Sequence, residues 1–187
     1  MHYDRVEIFD QAIPRAAAPA FQHMVDTYAG EANKTASVWR MFGLADLDWR
    51  PHPRSSSVKE IMQHQLLSER RFFSEFLGSP EPPAKELLPL SNTIDALATR
   101  LVDLATPRLN WLSAVSEADW LATTKFFDVE RQRIWIFWRR VLHSAHHRTQ
   151  LTVYLRLLQK TVPATYGPTA DVTWRGADPT LTVDRAG

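Results

Sequence analysis

Four long stretches of this chain repeat apolar residues at three- and four-residue steps, and proline-rich or turn-forming connections part them. That pattern, more than any other feature, limits what the chain can fold into. In the first stretch, from about Pro19 to about Leu44, the repeat runs through Phe21, Met24, Val25, Tyr28, Ala32 and Trp39. Pro51 and Pro53 then stop it, because proline lacks the N–H a helix needs and clashes with the preceding turn. The second stretch opens with Ser57 three residues before Glu60, a pairing that lets each side chain satisfy the other's free backbone N–H. It predicts a helix to about Leu77, ended by Gly78, Ser79 and Pro80. The third, about 93–115, carries Pro107 inside it and predicts a kink or break there. The fourth and longest covers about 132–160.

With only 6 glycines and no sustained two-residue alternation, these stretches predict an all-α fold, an antiparallel four-helix bundle occupying one domain over residues 1–187. Residues 120–132 are ambiguous, with a short extended piece expected around Lys125–Phe127, and residues 163–187 read as a tail. Most of the 7 tryptophans belong in a core or an interface.

The charge balance excludes several function classes. A formal net charge of +1 gives no basic face for nucleic acid. No uncharged run approaches the roughly 18 residues of a membrane span, and the acid-bearing first fifteen residues make no signal peptide. A cytoplasmic protein is expected. Without cysteine, a metal site must draw on His, Asp, Glu or water.

Such a set is present. His143 and His147 stand four apart on the fourth helix and share a face, the spacing by which two imidazoles hold one ion. On a helical wheel His147 projects into the apolar stripe of Leu151, Tyr154, Leu155 and Leu158, His143 toward its edge, and His146 away from it. A third ligand must come from another helix. His64, at the edge of the second helix's stripe, is the first candidate; His23 stays open, and His2 and His52 rank lower. Glu69 and Glu75 share the helix of His64, and both read as surface charges, so no general base stands out.

These motifs in this order resemble the DinB/YfiT-like family of metalloenzymes. The match rests on Ser57 to His64, on the HxxxHRxQ element His143, His147, Arg148 and Gln150, and on the segment 162–171. Thr149 stands where glycine is common in that family. The resemblance implies one divalent metal, zinc or nickel, held by His64, His143 and His147. It implies a metal-dependent enzyme working on a small-molecule substrate, such as a thiol-dependent S-transferase or a related isomerase or hydrolase. The absence of cysteine means that any thiol is a low-molecular-weight cosubstrate. On the residues, Arg148 suits an interhelical ion pair, and Gln150 either orients an imidazole or faces solvent. The competing reading is a non-catalytic, metal-binding or stress-related bundle. Trp135, Phe137 and Trp138 would suit a homodimer interface or, equally, a buried core.

Overall fold

The computed structural model describes residues 6–172. It is mostly helical: α1 (Gln22–Trp39), α2 (Val58–Arg71), α3 (Ile94–Ala114), a short α4 (Glu117–Leu121) and α5 (Arg133–Leu157). The Ser57–Glu60 box starts α2 as read: Ser57 N–H donates to Glu60 at 2.7 Å and Glu60 N–H to the Ser57 hydroxyl at 3.2 Å. Beyond Arg71 the helix widens to a π-turn over Phe72–Leu77. Gly78, at φ 85°, closes it in a left-handed conformation that a side chain would strain. α3 runs unbroken through Pro107. α1 ends at Trp39, earlier than expected, because the chain turns off at Arg40 toward a short 3₁₀ turn at Leu44–Asp46.

One expectation needs correction. The fold is not purely helical, since Thr123–Phe126 (β1) pairs antiparallel with Val129–Gln132 (β2). The two-residue turn Phe127–Asp128, with Phe127 at φ 55°, sets the register Phe126↔Val129. Phe126 is the buried member of β1; it packs on Phe72, Phe76 and Trp135.

Two apolar clusters hold the helices together. One joins Met24, Val25 and Tyr28 of α1 with Phe73 and Phe76, Leu109 and Leu112 of α3, Trp120, and Ile136 and Phe137 of α5. The other joins Trp39 with Met62 and Leu66 of α2, Leu97 and Leu101 of α3, and Leu151 and Leu155 of α5. The start of α1 and of α5 thus shares a cluster with the end of α2 and of α3. Residues 78–93 carry the chain from the first cluster to the second. Between the clusters lies a layer of buried polar side chains: Glu31, Gln65, Glu69, Arg108, Arg140 and Arg148. Among the described residues no helix is long and apolar enough to cross a membrane.

Candidate metal centre

α5 sets His143 and His147 one turn apart, and α2, packed against it, delivers His64. The ring centroids lie 4.5 Å apart for His143 and His147, 4.7 Å for His64 and His147, and 5.3 Å for His64 and His143. One ring nitrogen from each falls within 4.8 Å of the other two. His143 and His147 are half-buried, and His64 stands at the exposed mouth. The remaining candidates do not join them. His146 is exposed on the outer side of α5. His23, at the start of α1, stacks on Trp138 and contacts the Ala20 carbonyl. His52 accepts from the Arg54 backbone N–H, and His2 lies outside the described residues.

Each α5 imidazole is oriented by a neighbour. Gln150 Oε1 sits 2.6 Å from His147 Nδ1 and can only accept there, so His147 Nδ1 carries the proton and its Nε2 is left with a lone pair. Of the two roles open to Gln150 in the sequence, it takes the imidazole-orienting one, and the ring is that of His147. His143 is fixed by Arg140, whose Nη1 donates to His143 Nδ1 at 2.8 Å. Because a guanidinium only donates, neutral His143 carries its proton on Nε2, which faces the lone pair of His147 Nε2 at 3.3 Å. Nitrogens that share a tetrahedral zinc at about 2.0–2.1 Å stand roughly 3.3–3.4 Å apart. The three imidazoles and this spacing fit a divalent ion, and its binding at His143 Nε2 moves the ring proton to Nδ1 in place of the Arg140 contact.

The surroundings keep the rings neutral. Burial, with the charge of Arg140 and the two neighbouring histidines, pushes His143 down to about 3. Burial also lowers His147 and, together with Arg140, His64. Neutral imidazoles are the form that binds metal.

Arg140 is held in turn by Glu69, and here the expectation of a surface charge fails. Glu69 is 6% exposed in the middle of the helices. Its two oxygens take Arg108 Nη1 and Arg140 Nη2 at 3.0 Å each, and the Tyr28 hydroxyl donates to it at 2.5 Å. Burial alone would raise its pKa, but Arg140 and Arg108 outweigh that and hold it below the usual carboxylate range. Arg140 further donates to the Ser68 hydroxyl and the Gln65 carbonyl. A signal for this was present: Glu69 follows Val58 by eleven residues, about three turns, which places it on the apolar stripe of α2, where a carboxylate must be paired. Arg148, as its wheel position suggested, makes an interhelical pair with Glu31 of α1 at 2.7 Å and also reaches the Tyr166 hydroxyl.

Beside His64 and His147 opens a cavity of about 290 Å³, walled by Arg54, Ser55 and Ser56 of the α1–α2 connection and by Gln150 and Tyr154 of α5. It is at the small end of ligand sites.

Comparison with known proteins bears on the family and the fold. The DinB family model matches residues 16–176. A DinB-like protein of Bacillus cereus ATCC 10987 superposes with a TM-score of 0.65 at 20% identity, covering 76% of this chain and 95% of its own. A DinB-like protein of Bacillus subtilis gives 0.61 at 18% identity, covering 76% and 96%. At such identities the likeness concerns the fold. No curated protein matches the sequence.

Proposed function

The chain belongs to the DinB family, and from that premise we propose that it is a metal-dependent enzyme whose one divalent ion, zinc or nickel, is held by His64, His143 and His147. The observation that carries this reading is the convergence of three neutral imidazoles from two helices, with two Nε2 atoms at 3.3 Å. Three ligands leave a position for substrate, whereas structural zinc takes four. An ion held by neutral ligands keeps its double charge and supplies the Lewis acidity that brings a thiol or water toward ionisation at neutral pH. The protein's own part is positional. Gln150 fixes the tautomer of His147, Arg140 holds the His143 ring at Nδ1 and would yield that atom when an ion takes Nε2, and Glu69 with Tyr28 and Arg108 fixes Arg140.

We propose thiol S-transfer as the reaction: sulfur forms a bond to an electrophilic carbon, the leaving group departs with its electron pair, and the thiol proton passes to solvent. We further read the four long helices as an antiparallel bundle, with α1 and α5 opposed to α2 and α3, in a single-domain, cytoplasmic homodimer that binds neither nucleic acid nor membrane.

The test is a screen of zinc- and nickel-loaded protein with a small thiol and a panel of chromogenic electrophiles. Thioether formation should exceed that of metal-free protein and of His147→Ala at least tenfold with one electrophile. Equal rates across the panel would overturn the enzyme reading.

A further inference from the structure

The cavity beside the histidines has a chemical bias. None of the side chains that wall it is acidic, while Arg54, Ser55 and Ser56 bring a guanidinium and two hydroxyls to its rim. The nearest buried carboxylate, Glu69, already accepts from Arg108 and Arg140. Arg54 is exposed, and among the described residues its guanidinium meets no carboxylate, its one hydrogen bond being through the backbone N–H. Arg50, four residues earlier in the same connection, is by contrast paired with Glu60 at 3.2 Å.

The rim is also preset. The Tyr154 hydroxyl donates to the Ser56 carbonyl at 3.0 Å, Arg50 donates to the Ser55 carbonyl at 3.3 Å, and Ser55 N–H closes a turn on the His52 carbonyl at 2.8 Å. Val58 N–H and Lys59 N–H tie the start of α2 back to Trp49 and Leu47. The backbone that carries Arg54 is thus already ordered, so binding fixes only its side chain, and a planar guanidinium suits a carboxylate in a two-point contact.

We propose that this cavity is an anion-recognising subsite: Arg54, helped by the Ser55 and Ser56 hydroxyls, binds a carboxylate carried by the small thiol or substrate whose other end reaches the three histidines. The inference rests on the metal-site reading above and narrows it to carboxylate-bearing ligands. Ligands that lack the acid group forfeit the Arg54 contact.

Cobalt-loaded protein tests this without an activity assay. It is titrated with 3-mercaptopropionate and with its neutral counterpart 3-mercaptopropanol, and the visible absorption of the cobalt is followed. The acid should bind about tenfold more tightly than the alcohol. Arg54→Gln should remove that preference while leaving cobalt content and affinity for the alcohol unchanged, and Arg71→Gln, at an exposed arginine paired with Glu75 away from the cavity, should keep the preference. Failure of the protein to take up cobalt would overturn the metal-site reading and this subsite with it. Cobalt uptake with no preference for the acid, or a preference that survives Arg54→Gln, would overturn the subsite alone.

Discussion

Glu69 keeps a negative charge in the middle of the helices because arginines from α3 and α5 reach both of its oxygens. Removing one member of such a group leaves the others charged and unmatched, at a cost of about 3–5 kcal/mol. Arg108 retains Glu81, its second carboxylate, but among the described residues Arg140 pairs with no acid besides Glu69. Glu69→Ala should therefore destabilise the protein by about 3–5 kcal/mol in urea denaturation, and a loss under about 1 kcal/mol would contradict this account of the network. The histidines set the response to acid. Their pKa values are lowered in the folded protein, so the unfolded chain binds more protons once the pH drops below about 6.5. Their contribution is intact above that pH and is lost as the pH falls. Glu31 and Glu69, also lowered on folding, add a second loss below about 4.5. The melting temperature of metal-free protein should be flat above neutrality and fall from pH 6.5 to 5, and the fall should be smaller in the His64→Ala/His147→Ala double variant. A melting temperature that rises on acidification would refute the sign. In the sequence, the i, i+4 histidine spacing and the place of Glu69 on the apolar stripe of α2 were legible, whereas the arginines that pair with Glu69 were not, because they come from α3 and α5 and only the fold brings them together.

At the scale of elements, helix starts were easier to read than helix ends. The Ser57–Glu60 box is a local device and worked locally. The π-turn of Phe72–Leu77 depends on Phe72, Phe73, Phe76 and Leu77 all being buried, which no single-helix periodicity encodes. The same holds for the β1–β2 hairpin: β2, Val129–Gln132, is exposed along its length and lacks the alternation that marks a half-buried strand. Pro107 misled in the other direction, since α3 accommodates it without a break. Gly78 offers a direct check on how the second helix ends. Nothing lies within 4 Å of a methyl group added there, so only the φ of 85° resists substitution. Gly78→Ala should cost about 1–2 kcal/mol in thermal denaturation, the usual penalty for an L-residue in the left-handed region. A neutral result would mean that the turn is looser than described.

For the whole molecule, two apolar clusters sandwich a polar layer, and the histidines sit at the open edge of that layer, where α2 meets α5. The helical class was legible from periodicity and low glycine content. The path of residues 78–93 from one apolar cluster to the other was not, because it is set by packing between distant helices. With clusters this extensive, the helices do not depend on a metal for folding, unlike a zinc finger. The central claim is the ion itself. Elemental analysis of gently purified protein, repeated after equilibration with zinc or nickel, measures it most directly when run beside His146→Ala and His147→Ala. The account predicts one equivalent per chain in the parent protein and in His146→Ala, with most of it lost in His147→Ala and helicity by circular dichroism largely unchanged. Well under one equivalent in the parent with no uptake, or equal retention in the two variants, would contradict it.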